Sequence, residues 1–128
     1  MKLEVGMYVR LENDVEDIVI INKIANVFET TILTENDGSN YQGEYTKENV
    51  VKASYNIIDI LEVGDYVNGS EVLDFENKYI EEKDTFVPIG VVTENCYLEY
   101  TDSWIIEKNI KSVITHEQIE QMAYKVGE

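Results

Sequence analysis

This chain of 128 residues has one cysteine, one proline, one histidine, one tryptophan and a single arginine, Arg10. Each scarcity excludes something. A lone Cys96 cannot close an internal disulfide, which points to a reducing compartment. One cysteine and one histidine do not make a zinc site. Ten Lys and Arg against 26 Asp and Glu give a formal charge of -16. Affinity for a phosphate backbone rests on cationic side chains, so direct binding to DNA, RNA or an anionic membrane is disfavoured. The longest apolar runs, such as Ile18-Val19-Ile20-Ile21, are far too short to span a bilayer. Met1-Lys2-Leu3 leads into ordinary sequence without a signal-peptide pattern, and the expected location is cytoplasmic.

What the chain does have is a repeat. Leu3-Glu4-Val5-Gly6-Met7-Tyr8-Val9-Arg10 returns as Leu61-Glu62-Val63-Gly64-Asp65-Tyr66-Val67-Asn68, six of the eight positions being identical. A second echo links Glu48-Asn49-Val50 to Lys108-Asn109-Ile110. The offsets, 58 and 60 residues, differ by two, as expected if insertions fall in loops. The expected organisation is therefore two units, 1–60 and 61–128. A unit of about 60 residues buries only ~60% of the surface its unfolded chain exposes, so the halves are expected to pack together. Both are acidic: five basic and eleven acidic residues in 1–60, five and fifteen in 61–128.

Strands dominate the pattern. Val5 to Arg10 and Val63 to Val67 read as opening strands, each preceded or joined by a glycine suited to a turn. Asn68-Gly69 followed by the alternating Ser70 to Phe75 is a two-residue hairpin signal. Further strands are expected at Asp17 to Ile24, Phe28 to Thr34, Asn49 to Ala53, Thr85 to Thr93, Cys96 to Tyr100, Trp104 to Ile106 and Ile110 to Val113. Asn56 to Leu61, apolar and free of Gly, Pro and Ser, is a packed connector, either a last strand or one helical turn. Thr115-His116-Glu117-Gln118 has the form of a capping box, flanked by Ile114 and Ile119 as a staple, and predicts a short helix at about 115–124. The fold class is mainly β: two tandem five-stranded barrels of the Src-homology-3-like type, packed together, with a short C-terminal helix.

The wording of both ends and the centre, Met1 to Arg10, Asn56 to Gly69, and Ile110 to Gln118 with Tyr124-Lys125-Val126, resembles a group of uncharacterised small acidic proteins of phages and prophages of low-GC Gram-positive bacteria. The Val-Gly-x-Tyr-Val opening of each unit here is similar to that of KOW and Tudor-like barrels. The resemblance implies a phage accessory protein at work in the bacterial cytoplasm, and it supplies no catalytic or binding residues.

Candidate sites are few. His116 has no nucleophile or orienting partner placed near it by the sequence, and Cys96 reads as a small core residue, so no catalytic residue is assigned. Glu35-Asn36-Asp37-Gly38-Ser39-Asn40 with Glu44 imitates the later part of a calcium loop, but Leu33 occupies the first ligand position; a hairpin loop is the better reading. Pairs such as Glu81 with Glu82, or Asp14 with Glu16 and Asp17, fall in polar stretches where nothing tunes a carboxyl for catalysis. No phosphate-cradling or nucleophile motif occurs, and no metal or cofactor is expected. The nine tyrosines are the better signal. They include Tyr41, Tyr45, Tyr79, Tyr97 and Tyr100, several of which flank expected loops, where an apolar ring with a polar tip suits recognition, against the alternative of cross-strand packing; Tyr41, Tyr45, Tyr97 and Tyr100 are the candidate partner-binding residues.

The expected function is a non-enzymatic binding protein with a basic protein partner. Its sharper form is a counter-defence inhibitor whose acidic surface occupies a nucleic-acid-binding site on a host protein. The alternatives are a sponge for a small molecule or nucleotide signal, which the scarcity of arginine weighs against, and a virion or assembly component.

Overall fold

The computed structural model describes residues 2–13, 18–35, 43–94 and 104–120, and it is mainly β, with two antiparallel sheets and one helix. The chain divides into two compact units: Met1–Ile60 joined by the chain from Glu117, and Leu61–His116.

The first unit holds β1 (Tyr8–Asn13), β2 (Ile18–Val27), β3 (Thr31–Thr34), β4 (Glu44–Thr46) and β5 (Val50–Ser54), in sheet order β4-β3-β2-β1-β5. Four strands thus run as a meander and the fifth returns to pair with the first, Val9 opposite Ala53. Alternation along the strands sends Val9, Leu11, Ile20, Ile24 and Ile32 into one core, with Leu3, Met7, Val27, Tyr45, Val50 and Ala53 packed around it. A 3-10 turn at Lys47–Asn49 precedes β5. A second, Ile57–Ile60, follows β5 and buries Ile58 and Ile60, so the connector is a helical turn rather than a strand. Asn56 starts that turn: its Oδ1 accepts the Ile58 N–H at 3.0 Å, while the Ser54 hydroxyl donates to Asp59 at 2.6 Å.

The second unit holds β6 (Tyr66–Val67), β7 (Ser70–Ile80), β8 (Thr85–Thr93) and β9 (Val113–Ile114), in order β8-β7-β6-β9. Its buried apolar residues include Leu61, Val67, Val72, Val91 and Ile105. Asn68-Gly69 makes the expected tight turn, Val67 facing Ser70, with Asn68 at φ 52° and Gly69 at φ 85°. Asn68 also binds the segment before β9, donating to the Asn109 carbonyl and accepting the amides of Lys111 and Ser112. A 3-10 turn, Glu107–Asn109, again precedes the strand that returns to the unit's first strand.

Several boundaries differ from expectation for local reasons. Val5-Gly6 and Val63-Gly64 form turns, and the strands begin at Tyr8 and Tyr66. β9 is two residues, because Asn109, Lys111 and Ser112 are engaged by Asn68 instead of a neighbouring strand. Trp104 to Ile106 contributes a single bridge, Ile105 with Val91. β7 runs five residues past Phe75. The C-terminal helix begins at His116 and is helical through 120; the rest of the expected helix, and the expected strand Cys96 to Tyr100, lie outside the described residues.

Candidate functional site

The repeated words fold into the same turn twice. In the first unit the Met7 amide donates to the Glu4 carbonyl, the Gly6 amide to Ile24 O at 2.9 Å, and the Ile24 amide back to Met7 O at 2.8 Å. In the second, Asp65 donates to Glu62 O, Gly64 to Val72 O at 2.9 Å, and Val72 back to Asp65 O at 2.7 Å. Gly6 and Gly64 take φ of +94° and +99°, the left-handed region that side chains other than glycine's disfavour.

The side chains follow the same plan with different chemistry. Glu4 accepts the Tyr55 hydroxyl at 3.1 Å, and the Tyr55 ring lies over Gly6; Glu62 meets His116 Nε2 at 2.9 Å, and the His116 side chain lies over Gly64. Glu4 N–H donates to the Met7 sulfur at 3.3 Å, whereas the equivalent Glu62 N–H donates to the Asp65 carboxylate at 2.7 Å. That carboxylate is fully buried and also accepts the His116 amide at 2.9 Å, a charge-assisted cap at the start of the helix. His116 is therefore held by two carboxylates in a structural turn. Partial shielding from water, then the hydrogen bond to Glu4 and its negative charge, raise the Tyr55 hydroxyl above its ordinary pKa.

Arg10 is where the acidic chain keeps its one guanidinium. It lies in β1 with 1% exposure, donates to Glu117 at 2.5 Å and reaches the Ile60 carbonyl at 3.3 Å. A buried cation demands such partners, since desolvation without them costs several kcal/mol, on the order of the effective penalty for any buried ion. The consequence for the surface is that its cations are lysines.

The exposed feature that stands out is the outer part of the β7–β8 hairpin. Register puts Tyr79 opposite Phe86, Asn77 opposite Pro88 and Phe75 opposite Val91, so these pairs share one face of the ribbon. The extra residue at the shift between Glu76 and Asn77 is Ile89, a bulge that lets Gly90 pair with Glu76. A Cβ at Gly90 would stand 2.0 Å from the indole of Trp104, so the glycine admits the ring against the base of the hairpin. Beyond the Glu76–Gly90 pair no residue is buried. The Tyr79 and Phe86 rings stack tilted, centroids 5.2 Å apart at 55°, and remain 46% and 67% exposed. The tip is the 3-10 turn Glu81–Lys83, ended by Asp84 in the left-handed conformation. Asp84 accepts the Tyr79 hydroxyl, and this hydrogen bond is the main reason that hydroxyl is raised above its ordinary pKa.

Of the tyrosines singled out from the sequence, Tyr45 packs against the first core as a member of β4. Tyr41, Tyr97 and Tyr100 lie outside the described residues, as does Cys96. Of the calcium-like loop, Glu35 and Glu44 are described: the Glu35 amide donates to Lys23 O at 2.8 Å, and Glu44 accepts the Thr31 hydroxyl at 2.8 Å across the β3–β4 pair. Glu81 and Glu82 are exposed at the hairpin tip. An open cavity of about 460 Å³ in the first unit is lined by Lys2, Leu3, Lys47, Glu48 and Val50. Of the stacked pair, Tyr79 was among the suggestive tyrosines of the sequence, while Phe86 and the pairing were missed. Their signal was present in two aromatic residues placed symmetrically about Glu81-Glu82-Lys83-Asp84, a turn read only as solvated charge. Comparison with family models, curated proteins and solved structures finds no match.

Proposed function

We propose that this is a non-enzymatic binding protein built from two Src-homology-3-like barrels, a phage or prophage accessory protein of the bacterial cytoplasm. Its acidic surface takes a basic, nucleic-acid-binding site on a partner protein. One observation carries the reading: the net charge is -16 and the only arginine is withdrawn into the first unit and paired with Glu117. Such a surface attracts a cationic partner at long range and repels phosphate. The barrel reading is supported by the fifth strand returning to the first behind a 3-10 turn, and by the same turn chemistry at Gly6 and Gly64. Affinity capture from host lysate with the tagged full chain tests the function. A nucleic-acid-binding protein retained at low salt and released as ionic strength rises is the expected result. Recovery of no such protein, or capture indifferent to salt, refutes it.

A further inference from the structure

The first unit provides a measure of how much hairpin the fold requires. The amides of Ile24 and Val72 make the same bond back to the repeated turn. Past Ile24, β2 ends three residues on, at Val27; past Val72, β7 runs eight further, to Ile80. The additional ribbon shelters no buried residue and carries the two most exposed stacked rings of the described residues. A two-stranded ribbon standing clear of a core is marginal in water and gains stability when something covers it. The ring-bearing face leads out from the interior, from Val91, which is fully buried, through Phe75 and the Asn77–Pro88 pair to Phe86 and Tyr79.

We propose that this arm, residues 77–89, is the element that inserts into the partner, with Tyr79 and Phe86 as anchors seated in an apolar groove whose rim carries Lys or Arg. This rests on the reading of the protein as an acidic binder. Charge complementarity selects the occupant. The arm presents Glu81, Glu82 and Asp84 against Lys78 and Lys83, and a chain at -16 opposes a second copy of itself. Pro88 lacks an amide on the edge strand β8, which disfavours pairing with a partner's strand and leaves the side-chain face as the recognition element. Exposed aromatic pairs at the centre of an acidic rim have the make-up of an interface hot spot, where the rings hold the complex and the rim charges speed its formation.

The probe is the basic protein captured by the wild-type chain, titrated with the full-length wild type, a Tyr79→Ala/Phe86→Ala variant and a Glu81→Gln/Glu82→Gln variant. The aromatic variant is expected to lose affinity on the order of thirtyfold through faster dissociation. The glutamine variant is expected to lose mainly association rate, with a weaker salt dependence. Phe86→Ser, at the more exposed position, serves as the milder variant if the double one folds poorly. Hydrogen exchange of the amides in 77–89 should slow in the complex. Affinity within twofold of wild type for both aromatic variants, or unchanged exchange in the arm, overturns the arm while leaving the acidic binder intact. Failure of the wild-type chain to capture any basic protein overturns both.

Discussion

The two hairpins that follow the repeated turns begin alike and end differently. β2 and β3 close at Phe28–Thr31 as soon as the first core is covered, whereas β7 and β8 continue into an exposed arm. Conversely, β1 extends six residues where β6 has two. Each unit lengthens one hairpin and trims another, and the shared part is the Glu-Val-Gly turn with the ring that covers it. The difference teaches that the repeated residues hold each unit's turn together, while the arm has no counterpart in the first unit and shelters no buried residue.

Removing polar anchors that one unit has and the other lacks should break the comparison most sharply. Arg10 has Asn68 at the matching position, which sits in a turn and carries no charge. Arg10→Ala should cost about 3–5 kcal/mol, because it breaks the ion pair with Glu117 and empties a buried site. Denaturant unfolding would show this, and a loss below 1 kcal/mol, roughly the value of an exposed pair, would mean that the ion pair is superficial.

Asp65 comes next. Its counterpart Met7 packs against the first core and accepts a weak hydrogen bond at its sulfur. Asp65→Ala strips acceptors from the amides of Glu62 and His116 and should cost about 2–3 kcal/mol, against less than about 1.5 kcal/mol for the volume-conserving Met7→Leu. Equal losses at the two sites would contradict the assignment of Asp65 as the second unit's anchor.

The glycines sharpen the comparison at smaller scale. An alanine at either turn pays about 1–2 kcal/mol for its left-handed backbone. At Gly64 the new Cβ also meets His116 Cβ at 3.4 Å, whereas at Gly6 it meets the Tyr55 ring edge at 3.7 Å. Gly64→Ala should therefore lower the melting temperature more than Gly6→Ala does; the reverse order would show that the covering rings do not touch the turns as described.

How much of this was legible in sequence follows from range. The Asn68-Gly69 turn and the strand Thr85–Thr93 are local signals and lie where the pattern put them. The burial of Arg10 and its pairing were not legible, because nothing within β1 announces a partner 107 residues away. Tyr55 over Gly6 joins residues far apart in the chain, and Tyr79 meets Phe86 only after a bulge sets the register. β4 was missed because Glu44–Thr46 is short and follows a stretch dense in turn formers.

The smallest effect is in titration. The Tyr55 hydroxyl is raised by shielding from water and then by Glu4, and that of Tyr79 by its hydrogen bond to Asp84 and then by shielding. A phenol raised in the folded state above its unfolded value of 10.0 contributes stability that is intact below pH 10 and is lost as pH climbs through the folded pKa. Ultraviolet titration should show two late-ionising phenols, one absent in Tyr55→Phe and the other in Tyr79→Phe; ordinary curves for both would remove the Glu4 and Asp84 contacts from the account.

The central claim divides labour between a duplicated turn that builds and an unduplicated arm that binds. Melting temperature and partner affinity of Phe86→Ala and Gly64→Ala, determined side by side on the full chain, test it most directly. The account predicts that Phe86→Ala melts close to wild type and binds at least about tenfold more weakly, while Gly64→Ala melts about 4–8 °C lower per kcal/mol lost and, where folded, binds as wild type does. Phe86→Ala melting far below wild type with unchanged affinity would contradict it.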